Sequence, residues 1–318
     1  MEITLKDIMR NNFRFLIEDR YRLELFRKAI EKEDMIKNLA KKLGCCRDSV
    51  REMRTGKTKF IKWQILKRLI NITKTSEEKL ESNILAIKGG MSGKITKIKF
   101  PIYESPELAL LVAKGMGDGS IEKNKLRFSF WNNEETLIKE VCDCVNKAIG
   151  ETKATINRLE DGRIQARFCP LIGFVLNYFG VPIGNKTLQK FDVPPWIKKG
   201  YKQTKISFIK GLFDDEAHIQ NKNRSRRIAI YQSKWIEKKK SLENFLTSIK
   251  EMLLEFDIKT TKIRKQESYK DKSGREKVII GFSIYEKENL EKFLKNIGFT
   301  HPKKNLILEN AIKSYKYQ

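Results

Sequence analysis

The feature that most constrains this chain is a plan that occurs twice between residues 106 and 318. The first copy opens "PELALLVAKGMGDGSI", helical in its apolar period until Gly117-Asp118-Gly119 stops it. The second opens "KISFIKGLFDDEAHI", again an apolar helix that ends in acid. A strand pair is predicted after each helix, with "KLRFSF" in the first copy and "RRIAIYQ" in the second, followed by the amphipathic helices "NEETLIKEVCDCVNKAI" and "KKSLENFLTSIKEMLLEF". A hairpin comes next, turning at Asp161-Gly162 and at Ser273-Gly274. Each copy closes on a helix and a similar tail, "YFGVPIGNK" and "NIGFTHPKK", in which six residues lead from Gly180 to Lys186 and from Gly298 to Lys304. A plan matched element by element predicts two copies of one folding unit.

The opening helices give the duplication a physical purpose. Ala109, Ala113 and Gly117 lie four apart on one face, as do Ser207, Gly211 and Asp215. Small residues at that spacing let two helices pack backbone to backbone, so Ala113, Gly117, Ser207 and Gly211 are the expected interface. Pairing about a pseudo-twofold axis brings Asp118 and Glu216, 98 residues apart, together at the helix ends. Each carboxylate there is penalised by the negative end of its helix dipole and by its twin, at roughly 1 kcal/mol or more apiece. Such a pair calls for a divalent cation. Paired carboxylates with Mg²⁺ beside a phosphodiester can activate water and neutralise the leaving oxygen.

Charge points to the substrate class. The chain carries 66 Lys and Arg against 40 Asp and Glu. Residues 1–100 hold 25 basic and 13 acidic side chains, residues 101–200 hold 14 and 12, and residues 201–318 hold 27 and 15. Positive charge concentrated at both ends fits a polyanion. No apolar run approaches the ~20 residues of a membrane span, and no signal-peptide core is present, so a cytoplasmic, non-membrane protein is expected. Five cysteines without a Cys-x-x-Cys pair read as free thiols, and two histidines argue against a zinc site.

The N-terminal part, residues 1–87, is expected to be a small all-α module. Within "MIKNLAKKLGCCRDSVREMRTGKTKF", Ala40 permits close helix approach, Gly44 supplies a positive φ, and Val50 and Met53 anchor a second helix. The segment resembles the repressor-like helix-turn-helix family over some 40 residues. By that resemblance Arg47, Ser49, Arg51, Arg54 and Lys57 face DNA. Residues 88–101, with Gly89, Gly90, Gly93 and Pro101, read as a linker.

"VAKGMGDGS" and "FIKGLFDDEA" resemble the two signature helices of the LAGLIDADG homing endonuclease family in its single-chain, two-motif form. The resemblance covers roughly residues 100–318 and implies an α+β fold, a pseudo-twofold repeat of αββαββα units at residues 102–200 and 201–318. It implies a site-specific double-stranded DNA endonuclease in which Asp118 and Glu216 are catalytic and hold Mg²⁺, with Mn²⁺ as a substitute. It further implies DNA-facing strands carrying Arg127, Arg163, Arg167, Arg224, Arg226, Arg227, Tyr231, Gln232, Lys262 and Arg264, about half of which point away because strands alternate. Lys186 and Lys304 match basic positions of the family without a role. Two departures stand out: Ala217 replaces a usual Gly, and Asp215, beside Asp214, is expected to crowd the metals with further acid. Without intein end signals, the chain is expected to be a free-standing monomer. The alternatives are a non-cleaving transcriptional regulator on the same fold and an RNA-splicing accessory protein.

Overall fold

The computed structural model describes residues 1–9, 13–89, 93–98, 100–222, 225–270 and 274–317. The N-terminal part runs β1 (Glu2–Ile3), α1 (Leu5–Ile8), β2 (Phe13–Ile17), α2 (Asp19–Glu33), α3 (Ile36–Leu43), α4 (Arg47–Thr55), β3 (Ile61–Lys62), α5 (Trp63–Thr73), α6 (Glu77–Glu81), β4 (Ile84–Gly89), β5 (Ile95–Thr96) and β6 (Ile102–Tyr103). The first copy follows as α7 (Pro106–Met116), β7 (Gly119–Ile121), β8 (Phe128–Asn132), α8 (Glu135–Ala148), β9 (Thr155–Arg158), β10 (Ile164–Arg167) and α9 (Pro170–Tyr178). After α10 (Pro195–Lys198), the second copy is α11 (Lys202–Glu216), β11 (Ala217–Lys222), β12 (Ser225–Trp235), α12 (Lys239–Leu254), β13 (Arg264–Lys270), β14 (Glu276–Ile284) and α13 (Lys287–Asn296), with α14 (Pro302–Lys313) appended.

The two copies share one topology. Their sheets are ordered β7-β8-β10-β9 and β11-β12-β14-β13, antiparallel throughout. Alternation fixes which face is covered. Phe128, Phe130, Ile164 and Ala166 in one sheet, and Ile228, Ile230, Val278, Ile280 and Phe282 in the other, are buried beneath the helices. This is the α+β repeat expected.

Corrections fall in the N-terminal part. The expected helices are present, but the module is not all-helical: β2, β3, β4 and β5 form an antiparallel sheet in the order β3-β2-β4-β5. "FRFLI" alternates buried and open residues, yet five residues between charged segments give little periodic signal and their partners lie far along the chain. The segment 88–101 is likewise no free linker. Its β5 pairs back on β4, Thr96 and Glu151 exchange two main-chain hydrogen bonds of 2.9 Å, and Lys97 reaches the Glu151 carboxylate at 2.7 Å. Gly90 lies outside the described residues, as does Ser273 of the second hairpin turn. The N-terminus pairs Ile3 with Ile102, and the Phe13 ring meets Phe174 of α9 edge-on at 6.1 Å. The N-terminal module is therefore docked on the first copy.

Helices α7 and α11 pair along the small residues. A Cβ placed at Gly211 would lie 3.1 Å from the Ala113 Cβ and 3.2 Å from the Leu110 carbonyl oxygen. One at Gly117 would lie 2.5 Å from Asp215 Oδ2. Ala113 is buried, and Ser207 is half-buried earlier on α11. Into the room left by Gly117 projects a buried ion pair. Lys114 Nζ of α7 stands 2.8 Å from Asp215 Oδ1 and 3.9 Å from Asp214 Oδ2, all three side chains fully buried. The ammonium also lies 5.4 Å from the centroid of the Phe130 ring.

Two outcomes test this packing. Gly211→Leu should cost about 1–3 kcal/mol through overpacking, read from denaturant unfolding of the whole chain. Lys114→Met should cost about 3–5 kcal/mol, because it strands buried acid without a cation. Adding Asp215→Asn to that variant should recover part of the loss.

Candidate metal and nucleic-acid site

Asp118 follows Gly117 at the end of α7, and Glu216 is the last residue of α11. Helix ends leave carbonyl groups without intrahelical donors, and here each end receives one lysine. Lys186 Nζ donates to the carbonyls of Gly115 (3.3 Å), Met116 (3.0 Å) and Gly119 (2.8 Å), and to that of Gly117. Lys304 Nζ donates to Phe213 (3.2 Å), Asp214 (2.5 Å) and Asp215 (3.4 Å). The matched tails of the sequence thus deliver two equivalent C-terminal caps. Burial pushes both ammonium groups below the usual lysine value. Glu216, Asp118 and Asp215 oppose that shift at Lys186, and Asp214, Asp215 and Asp118 oppose it at Lys304.

Each acid also has an amide partner. Asn132 Nδ2 donates to Asp118 Oδ2 at 3.0 Å, and Gln232 hydrogen-bonds Glu216. Registers pairing Gly119 with Phe130 and Ala217 with Ile230 make Asn132 and Gln232 equivalent positions. Gln232, grouped above with the DNA-facing residues, lies at the acids. Asn132 escaped the sequence reading. The signal was there: "RFSFWN" at 127–132 aligns residue for residue with "RIAIYQ" at 227–232.

Burial raises the Asp118 carboxyl above its usual range, against the pull of Lys114, Lys186 and Lys304. Burial, and then the charge of Asp118, push Glu216 up to about 7, against Lys186 and the Gln232 hydrogen bond. A cleft of about 510 Å³ opens beside them, lined among others by Gly117, Lys186, Glu216, Tyr231 and Gln232. Among the described residues no three or more His, Cys, Asp or Glu side chains form a metal cluster. Two carboxylates beside an open cleft suit Mg²⁺, which binds through one or two carboxylates together with phosphate and water. The nearby lysines offset part of the acids' charge while donating their hydrogen bonds to main-chain carbonyls.

Asp214 points away from this site, whereas Asp215 stays beside Asp118, as expected, with Lys114 balancing its charge. Asp214 accepts the N–H groups of Thr300 (3.3 Å) and His301 (3.0 Å) at the start of α14. Asp215 is held by Lys114 and by the Asp118 N–H at 3.1 Å. Ala217 enters β11 in ordinary extended conformation. Its counterpart Gly119 has no such freedom, since a Cβ there would lie 2.7 Å from both the Lys114 carbonyl oxygen and the Phe128 ring.

The uncovered faces of the sheets collect most of the strand residues singled out. In the first, register sets Arg167 opposite Ser129 and Gln165 opposite Trp131, on the face of Arg127. Arg163, just before β10, is exposed and bound to Asp161 within its own turn (Nε–Oδ2 2.8 Å). In the second, Tyr231, Gly281 and Arg264 form one cross-strand row, and Arg227 shares that face and donates to the Tyr285 hydroxyl at 2.7 Å. Lys262 is exposed ahead of β13. Arg226 is a correction: it has the opposite parity, donates to Ser314 Oγ at 2.6 Å and stacks on Tyr315 at 4.6 Å. Arg224 lies outside the described residues. On α4, Arg47 and Arg51 are exposed and Ser49 and Arg54 half-buried, and Lys57, just beyond α4, is exposed. Gly44 ends α3 at φ 70°.

Two equivalent half-units, each carrying one acid to a shared helix interface, define a duplicated α+β protein with a paired-carboxylate centre. Residues 203–298 match the family model of the LAGLIDADG-like domain. Among curated proteins, tRNA-splicing ligase RtcB of Methanopyrus kandleri is 27% identical over 231 residues, 66% of this chain and 22% of that protein. Replication factor C small subunit of Methanocaldococcus jannaschii is 32% identical over 208 residues, 60% of this chain and 11% of that protein. DNA-directed RNA polymerase subunit Rpo1N of the same organism is 28% identical over 271 residues, 76% and 20%. The chain thus spans about a tenth to a fifth of these relatives. Similar solved structures include the homing endonuclease I-DmoI, at 18% identity and TM-score 0.42 over 60% of this chain and 90% of that one. The N-terminal LAGLIDADG domain of WhiA is at 12% and 0.36, over 62% and 83%. No helix among the described residues is long and apolar enough to cross a membrane.

The raised Glu216 carboxyl makes stability depend on pH in metal-free solution. Its protonated form favours the fold; that advantage is complete below the usual glutamate value and is lost as pH rises through about 7. The melting temperature in EDTA should fall from pH 5 to pH 8, and Glu216→Gln should flatten the decline. Mg²⁺ should raise the melting temperature more at pH 8 than at pH 5.

Proposed function

We propose that this chain is a site-specific, divalent-metal-dependent double-stranded DNA endonuclease of the homing type, active as a monomer. The observation that carries the reading is the acid pair Asp118 and Glu216 at the ends of paired helices, beneath two sheets whose open faces bear arginines. Asp118 and Glu216 would hold Mg²⁺, or Mn²⁺ in its place. When bound, the ion supplies a Lewis acid and a more acidic water.

The protein's own part is placement. Lys186 and Lys304 fix the helix ends, so the acids keep their spacing. Asn132 and Gln232 orient the carboxylates by donating to them, which leaves oxygen lone pairs for a cation. Because both acids come from one chain, a monomer completes the site. Arg127, Arg167, Arg227 and Arg264, with Tyr231 and Lys262, offer donors and apolar area to phosphates and base edges. The pair α3 and α4 acts as a helix-turn-helix whose Arg47, Ser49, Arg51, Arg54 and Lys57 extend the DNA contact. Similar segments within three proteins of unrelated names, each filling a minor share of its host, support a module that passes between genes.

The test uses DNA carrying the chain's own gene neighbourhood. Asp118→Asn and Glu216→Gln should each lower cleavage by ~10²-fold or more. Binding without metal should hold or rise, since a group that repels phosphate has been neutralised. A protein that binds its site and never cuts with Mg²⁺ or Mn²⁺ is a regulator instead. Cleavage that survives in both variants removes the acids from the mechanism.

A further inference from the structure

The N-terminal sheet carries charge that the acid centre does not use. Lys62 of β3 stands opposite Arg14 of β2, and Arg14 opposite Lys88 of β4. Strands β4 and β5 pair Ala86 with Thr96 and Ile87 with Ile95. One further step in that register sets Lys94 opposite Lys88. Three cations on three strands, with Lys94 immediately before β5, therefore form one row, at ~4.8 Å per strand a track of roughly 14 Å. Phe13, Phe15, Ile61, Ile87 and Ile95 are buried on the other face. Arg14, Lys62 and Lys94 are exposed, and Lys88 is half-buried with its ammonium 5.8 Å from the Phe60 ring centroid.

Like charges directly opposite each other destabilise a sheet, and a nearby carboxylate would relieve them. Among the described residues none pairs with Arg14, Lys62, Lys88 or Lys94. The neighbouring helix differs: Arg51 pairs with Asp48 at 3.3 Å and Lys57 with Glu52 at 3.2 Å. Arg68 donates to the Leu43 carbonyl at 2.6 Å. A cleft of about 390 Å³, lined by Arg14, Lys62, Arg68 and Ser49 among others, joins the row to the first turn of α4. The row is also held in place. Phe13, next to Arg14, packs on Phe174 of the first copy, so the track cannot swing independently of that copy.

We infer that the row Lys62–Arg14–Lys88–Lys94 is a phosphate track for the backbone of duplex DNA flanking the site bound by the two sheets. A small anion would engage one or two of these groups; a line of four without acid matches a regularly spaced polyanion. At 3.4 Å per base pair the track spans about four base pairs. The inference rests on the double-stranded DNA reading above.

The test compares the full chain with its Arg14→Gln, Lys62→Gln, Lys88→Gln triple variant, in metal-free binding to a long duplex over a salt series. A control triple, Lys239→Gln, Lys240→Gln, Lys292→Gln, lies on α12 and α13 behind the second sheet. Loss of three phosphate contacts should flatten the slope of log K against log salt by about 2.7 and weaken binding about 10²-fold near 0.15 M salt. The control should match the parent. An undiminished melting temperature of the test variant shows that its fold is kept. A triple variant that binds like the parent overturns the track while leaving the DNA reading intact. A parent with no salt-dependent DNA binding overturns both. Loss confined to duplex RNA, with DNA binding unchanged, assigns the row to RNA and overturns the inference as stated.

Discussion

The close approach of α7 and α11 sets the conditions under which the rest of the structure operates. With Ala113 facing Gly211, the two helices meet without side chains between their backbones, so their C-terminal ends coincide. Two negative helix ends and two acids then meet at one place, with Asp118 exposed and Glu216 half-buried. That arrangement is stable only with compensating cations, and the chain supplies two of them from outside the helices. Lys186 and Lys304 each reach back from a tail beyond the repeat's last strand to the carbonyls of its opening helix. They relieve the helix ends and leave the carboxylates available.

The two copies are alike in plan and unlike where they touch. Position 117 is glycine in the first helix, and its counterpart 215 is aspartate in the second. The glycine leaves the space that the aspartate fills, and Lys114 of the first helix neutralises it. A pairing of two first-copy helices would bury Lys114 without an acid; a pairing of two second-copy helices would bury Asp215 without a cation. The ion pair therefore favours the mixed arrangement over either self-pairing, beyond what small residues alone can specify. Asp214 extends the same network to the loop before α14, which carries Lys304. Interface and helix cap are thus mechanically joined.

The N-terminal module is held to the first copy through the β5 bridge to Glu151 and the Phe13–Phe174 contact. Two attachments on different segments restrain rotation as well as separation. Its charged surfaces accordingly keep a set direction relative to the paired sheets.

Much of the fold was legible in the primary structure, because duplication, helical period and four-spaced small residues are local patterns that survive without coordinates. Asp118 and Glu216 were legible for the same reason: each ends a signature helix. The strand residues were legible as a set but not individually, since adjacent arginines such as Arg226 and Arg227 differ only in which face of the pleat they take. The N-terminal sheet was hidden, its strands being short and their partners far along the chain. Asp214 and Asp215 both looked like added acid at the acid pair because a sequence shows charge but not direction; Asp214 turns to the start of α14, and Lys114, 101 residues before Asp215, balances the Asp215 charge. Sequence by itself determined the two units, their topology and the acids at their shared ends. Tertiary structure alone decided which charges meet, because burial and pairing depend on the distance in space that remote segments acquire only when they pack.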